Sequence, residues 1–372
     1  MNKKFSIFLS NVFCGFLGGM LVVSTMLPDQ EFSELENRYL QQTPKLSWQA
    51  VREGKFMSDA EDYVSDHLLG RDLWVSMKSW CERLTGKQEN NGVYFADEGT
   101  LINRVTAPDM SVLEKNMGYV DKLAENLNVP VHFGLIPSAA EIWADRLPEG
   151  APTADEKAII DHLYAMTKAA PVPVLEKLAQ HAEEDIYYRT DHHWTSLGAY
   201  YGYQAVMQAL GLEAVPLENL TPVTVTEEFD GTIFSSSGVR WVESDSIETY
   251  IPDEGVKVTN YFDGTPTDGG LYAPEYLEKK DKYSYFLGGV QPLCTIETEH
   301  TDAPKLLLIR DSYSDSLAPF LTKNFSEIHL WDLRFNSRNI QQYVEEEGID
   351  QVVVLYSISN FLSDKNLFLL GR

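Results

Sequence analysis

Three short apolar runs constrain this chain more than any other feature: "KLLLIRD" ending at Asp311, "SEIHLWDLR" ending at Arg334, and "DQVVVLYS" ending at Ser357. Between them lie "SYSDSLAPFLTKNF" and "NSRNIQQYVEEEG", which carry apolar residues at helical spacing. Near-continuous apolar strands alternating with helices specify parallel neighbours in a sheet covered on both faces. An earlier run, "VPVHFGLIPS", belongs to the same pattern, flanked by helical segments at 110–128 and 155–168. In such sheets the chemistry collects at the carboxyl ends of the strands. That rule singles out Arg310, Asp311 and Ser312, then Ser357, Ser359 and Asn360, and the turn at Pro137 and Ser138.

The N-terminus adds a second constraint. Lys3 and Lys4 precede an uncharged stretch from Phe5 to Leu27. At about 1.5 Å per helical residue it reaches roughly 34 Å, enough to cross a bilayer with some tilt. The leading lysines orient it with the N-terminus in the cytoplasm and the remaining chain outside. A cleaved signal peptide ending near "VVS" is the rival reading, but the apolar run is long for one. The expected organisation is therefore an anchor at 1–28, a helical membrane-proximal stalk at 29–88 and an α/β domain at 89–372. Asp66, His67 and Arg71 in the stalk read as an ion-paired helix face. A segment at about 213–300, rich in Thr, Tyr and Gly with alternating polarity, reads as a β-rich antiparallel insertion. The net charge of -26 excludes nucleic acid as a partner. Cys81 and Cys294 both fall on the exported side, where a disulfide is chemically allowed.

"YYRTDHHWTSLGAYYGY", from Tyr187 to Tyr203, puts an acid and two histidines directly before a helix expected at 196–210, with Thr195 or Ser196 as its cap. A serine hydroxyl becomes a good nucleophile only when a histidine takes its proton, and that histidine needs an acid to fix its tautomer. Asp191 and His193 meet the second requirement. Ser312, ending a buried strand and opening a helix, is the serine, and backbone N–H groups of the turn after it are the expected oxyanion donors. Taken alone, Ser312 also reads as a plain helix cap, and Asp191–His193 as a hydrogen-bonded corner. Ser138 is a rival nucleophile. Asp191, His192 and His193, with His181 or His329, would make a metal site. Adjacent side chains in extended backbone point to opposite sides, which argues against one ion taking both histidines.

"RTDHHWT" followed by "RDSYS" resembles the DHHW family of bacterial cell-surface proteins and, beyond it, the SGNH-like acetyltransferases of exopolysaccharides, the alginate acetylation proteins among them. "ENRYLQQTP", "GVYFADEGTLI" and "FDGTIFSSSG" extend the resemblance over most of the exported chain. It implies an SGNH-hydrolase-like α/β fold, circularly permuted so that acid and base precede the serine. It also implies a Ser-His-Asp O-acetyltransferase or acetylesterase with Ser312, His193 and Asp191 as catalytic residues and no metal or other cofactor. Trp194, Tyr313 and Arg334 are the expected substrate contacts, with a place in the core for the two aromatics and a surface ion pair for Arg334 as equal alternatives; a cell-surface polysaccharide is the expected substrate, and a membrane-bound acyl-transferring protein the partner. Asp311 departs from the small or neutral residue usual before the nucleophile, and a carboxylate there would oppose an oxyanion unless it points away. A non-catalytic wall- or glycan-binding protein on the same fold would keep aromatics such as Trp241, Tyr250 and Tyr285 but would not need Ser312.

Overall fold

The structure is a computed structural model and describes residues 3–262 and 264–372. They form two compact units, one running to Asn91 and including Ser235–Trp241, the other holding Gly92–Phe234 and Val242–Arg372.

The first unit begins with helix α1, Lys3–Met26, in which no residue is buried. It is long and apolar enough to cross a membrane. A small hairpin follows, Phe32–Ser33 paired with Arg38–Tyr39, and then helices α2, Lys55–Asp66, and α3, Arg71–Leu84. Charge holds these pieces together. Arg38 donates to Glu36 at 2.7 Å and pairs with Asp66, and Arg71 pairs with Glu36. The Gln41 N–H also donates to Asp66, at 2.8 Å. His67 lies 3.0 Å from the Gln41 carbonyl. Ser79 of α3 is buried and accepts from Asn90 Nδ2 at 3.0 Å.

The second unit is built on an eight-stranded sheet. In chain order its strands are β1, Val131–Ile136; β2, Ala170–Pro171; β3, Val256–Phe262; β4, Thr265–Gly269; β5, Leu293–Thr298; β6, Lys305–Arg310; β7, Glu327–Trp331; and β8, Gln351–Ser357. They lie in the order β4-β3-β5-β7-β6-β8-β1-β2. From β7 to β2 every neighbour is parallel. The strands β5, β3 and β4 continue the sheet antiparallel. The expected insertion is thus β-rich and antiparallel, and part of it extends the main sheet. Alternation along β6 sends Leu306 and Leu308 into the core under helix α4, Ser196–Leu210, while Leu307 and Ile309 join the opposite core. Both faces are covered, as the apolar runs require. The short strand β2 ends at Pro171, and Val174–Ala179 is helical behind Pro173.

All three cysteines are free in this structure. Cys294 is enclosed in the sheet core, and that burial pushes its thiol up to about 12.

Helix α4 explains the spacing of the histidine motif. Thr195 Oγ1 caps it by accepting the Gly198 N–H at 3.2 Å, and Gly211 ends it in the left-handed region. The Trp194 indole packs against the helix at Gly202. A Cβ on Gly202 would come within 2.5 Å of the ring, and one on Gly198 within 2.1 Å of the Ile186 carbonyl oxygen. Overpacking of this kind costs typically about 1–3 kcal/mol. Gly202→Ala should therefore lower the unfolding free energy by about that amount in urea titration, whereas Gly118→Ala, on an uncrowded helix face, should not.

Candidate active site

The motif loop is closed by an antiparallel bridge between Tyr187 and Trp194. Within it the Asp191 side chain turns back on its own chain. Its Oδ1 accepts the His193 N–H at 3.0 Å and lies 2.6 Å from His193 Nδ1. Its Oδ2 accepts the Thr232 N–H at 2.7 Å and the Thr232 hydroxyl at 2.8 Å. Residue 231 must be glycine here, because a Cβ would come within 2.3 Å of the Asp191 Cβ. Burial works against the charged carboxylate, but His192 and His193 outweigh it and hold Asp191 well below its usual range. An ionised carboxylate only accepts, so His193 Nδ1 carries the ring proton and Nε2 presents a lone pair. His193 Nε2 lies 2.9 Å from Ser312 Oγ.

Ser312 sits between β6 and helix α5, Ser314–Leu321, half-buried at the carboxyl edge of the sheet. Acid, imidazole and hydroxyl are thus brought into one hydrogen-bonded line. Ser138, the rival serine, lies at the end of β1, where its N–H donates to the buried Glu156 at 2.7 Å.

The oxyanion expectation needs correction. The Tyr313 N–H is taken by Asp311 Oδ1 at 3.1 Å, the Ser314 N–H by the Asp311 carbonyl at 3.2 Å, and the Asp315 N–H by the Ser312 carbonyl at 3.1 Å. The turn spends the N–H groups after the serine on itself. Asp311 itself points away. Its Oδ2 accepts the Ser357 N–H at 2.8 Å, the Ser357 hydroxyl at 2.7 Å and Asn360 Nδ2 at 2.8 Å. The acid ties the ends of β6 and β8 together, and its carboxylate is bonded away from the Ser312 hydroxyl. Beneath the turn, Arg310 is fully buried against Asp315 at 2.8 Å.

His192 does not point away from His193. The two rings lie 3.9 Å apart, tilted by 38°. The Thr232 hydroxyl has one proton and gives it to Asp191, so His192 Nδ1, 2.8 Å from that oxygen, is the donor there. Burial disfavours a charge on His192, but Asp191 more than compensates, and its pKa is raised. For His193, burial and the neighbouring His192 charge prevail, and its pKa is lowered. Asp191, His192 and His193 lie close enough together to hold a metal ion. The added ligands considered from the sequence are engaged elsewhere: His181 with Glu184 at 2.7 Å, and His329 with Tyr343 at 2.6 Å.

The three expected substrate contacts have other work. Trp194 is fully buried and donates to the Tyr313 carbonyl at 2.9 Å and to Ser316 at 3.0 Å. Tyr313 is buried and donates to the His192 carbonyl. The Arg334 guanidinium is forked onto Asp332, at 2.6 Å from Nη2. In place of these, the structure brings in residues that the sequence did not single out. Tyr283 stacks flat on His193, centroids 3.7 Å apart, and donates to the Ser312 carbonyl at 3.1 Å. Thr232 and Gly231 come from "FDGTIF". Asp245 takes the Thr190 N–H at 2.8 Å, fixing the loop one residue before the acid, and burial pushes its carboxyl up to about 6.

An α/β fold with a Ser-His-Asp line at the carboxyl edge of its sheet is the class these features define. The DHHW protein family model matches residues 111–331, and the chain belongs to that family. A DHHW family protein from Eubacterium siraeum is similar in structure, with a TM-score of 0.66 at 23% identity over 76% of this chain and 96% of that one. Bacillus cereus PatB1 with a sulfonyl adduct gives 0.63 at 22% identity over 75% and 100%. The O-acetyltransferase domain of Pseudomonas putida AlgJ gives 0.44 at 14% over 73% and 93%. No curated protein matches the chain.

A buried donor left without its acceptor costs about 1–3 kcal/mol. Asp311→Ala strands several at once, so it should lower the unfolding free energy by more than about 3 kcal/mol, while Ser312→Ala should change it by about 1 kcal/mol or less. Urea unfolding of both variants checks this.

Proposed function

We propose that this chain is a membrane-anchored, extracytoplasmic enzyme that moves acetyl groups at a cell-surface polysaccharide, as an O-acetyltransferase or acetylesterase. The reading rests above all on the line from Asp191 through His193 to Ser312, with contacts of 2.6 and 2.9 Å. Ser312 is the nucleophile, His193 the general base and Asp191 the acid that fixes its tautomer. Ser312 Oγ attacks the carbonyl carbon of an acetyl ester while its proton passes to His193 Nε2. The tetrahedral centre collapses, the donor oxygen leaves with the proton from His193, and acetyl-Ser312 remains. An acceptor hydroxyl then gives its proton to His193, attacks the acetyl group and restores the serine. The acceptor is a sugar hydroxyl in transfer and water in hydrolysis, and the three residues serve both. Helix α1 is the anchor, with the rest of the chain outside. Acetyl-coenzyme A is a cytoplasmic donor, so transfer outside requires a membrane-bound partner that hands acetyl groups across.

Residues acting as one unit give non-additive losses. Ser312→Ala, His193→Ala and the double variant should each reduce kcat/KM on an aryl acetate by a similar factor, about 10³ or more. Equal activity in wild type and Ser312→Ala would defeat the assignment. Chelators should leave the activity intact; a stoichiometric metal lost together with it would favour the metal site.

The pH profile has a definite sign. Protonating His193 removes the base, so kcat/KM should fall as the pH drops through its pKa, below the ordinary histidine range. The His192 charge helps to lower that pKa. His192→Gln should therefore move the acid limb to higher pH. A limb that stays in place would mean that His192 does not act on His193.

A further inference from the structure

Helix α3 is amphipathic in the opposite sense to a helix packed on a core. Leu73, Trp74, Met77, Trp80 and Leu84 repeat at helical spacing along one stripe. All five are exposed, Leu73 by 62% and Leu84 by 79%. The inward side is polar, made of Arg71 paired with Glu36 and Ser79 bonded to Asn90. The helix therefore takes its place largely through charge and hydrogen bonds and leaves most of its apolar stripe uncovered, with Trp80 lying against the Trp241 ring, centroids 4.5 Å apart.

Its position indicates what covers the stripe. The Leu69 N–H donates to Ser24 Oγ, in the last turn of α1, at 2.9 Å. The Trp74 indole in turn donates to the Leu69 carbonyl at 3.1 Å. The start of α3 is thus fastened to the end of the apolar helix, at the level where α1 would leave a bilayer. Two of the stripe residues are tryptophans, whose amphipathic rings favour that boundary. The rest of α3 carries Arg71, Lys78 and Arg83 against Asp72 and Glu82, a net +1 in a chain of net charge -26. Anionic lipid repels this protein as a whole, but not this helix.

We propose that the apolar stripe of α3 lies in the headgroup boundary of the bilayer that α1 spans, as an interfacial helix on the exported side. This rests on the reading of α1 as a membrane anchor. The exported part is then attached at two points, a spanning helix and a surface helix, and not by a single tether.

The test uses the full chain in vesicles of phosphatidylethanolamine and phosphatidylglycerol. Its native cysteines are replaced by alanine, and single spin labels are placed at Leu17→Cys in α1, at Leu73→Cys and Met77→Cys on the stripe, and at Lys78→Cys on the polar side. Collision with oxygen reports lipid, and collision with a water-soluble nickel chelate reports solvent. Labels at 73 and 77 should favour oxygen, as the label at 17 does, and the label at 78 should favour nickel. Labels at 73 and 77 that favour nickel, with 17 still in lipid, overturn the proposal and leave the anchor standing. A label at 17 that favours nickel removes the anchor itself. Labels at 73 and 77 shielded from both reagents mean that a protein partner or a second copy covers the stripe, which also overturns the proposal. Independently of the cysteine replacements, brominated lipid should quench part of the native tryptophan fluorescence, and that part should be lost in Trp74→Phe/Trp80→Phe. No quenching in the native chain would count against the proposal.

Discussion

The structure around the candidate site depends on one buried charge. Taking a carboxylate out of water costs several kcal/mol unless its lone pairs are met by donors. Asp191 is almost wholly buried, and its donors come from two directions. His193 supplies two from the same loop, and Thr232 supplies two from a segment far along the chain. The loop and the segment therefore have to fold around the charge together. Gly231 is the point where the second segment comes close enough. The same bonds fix the His193 ring, and Tyr283 closes its back face. What meets the cost of burying the acid also sets the direction of the base.

A second carboxylate, Asp311, is oriented by the same logic to the opposite effect. It stands next to Ser312 in sequence, yet all its acceptor capacity is used by Tyr313, Ser357 and Asn360. Joining β6 to β8 keeps the strand ends at the site in register and turns the charge away from the serine. The acid that looked like an obstacle to an oxyanion is a fixture of the edge that carries Ser312.

Much of this was legible in the sequence. The apolar runs specified the parallel core, and the rule about strand ends selected Ser312 from many serines. The motif gave Asp191 and His193. What was not legible is orientation and long-range contact. Trp194 and Tyr313 were expected against substrate because a sequence shows an aromatic residue and not the side it faces. The signal that places Trp194 inside is the pair Gly198 and Gly202, four residues apart on the facing helix: Gly202 leaves room for the indole, and Gly198 for the Ile186 carbonyl and the Trp194 Cβ. Extended backbone was assumed for His192 and His193, but the loop curls around Asp191 and brings both rings together. Thr232 and Tyr283 lie 41 and 92 residues beyond Asp191 by their numbering, and no local pattern marks either as part of the site. The spent N–H groups of the Ser312 turn follow from Asp311, whose role appears only once Ser357 is beside it.

The account turns on Ser312 carrying the acyl group. The most direct measurement is rapid acid quenching of the intact chain during turnover of an aryl acetate without a sugar acceptor, followed by peptide mass spectrometry. One acetyl group should appear on the peptide containing Ser312, at an occupancy that falls when an acceptor glycan is added. A sulfonyl fluoride should block the same residue and prevent the label. Steady turnover with no acetyl on Ser312, or with the acetyl on another residue such as Ser138, would contradict the account.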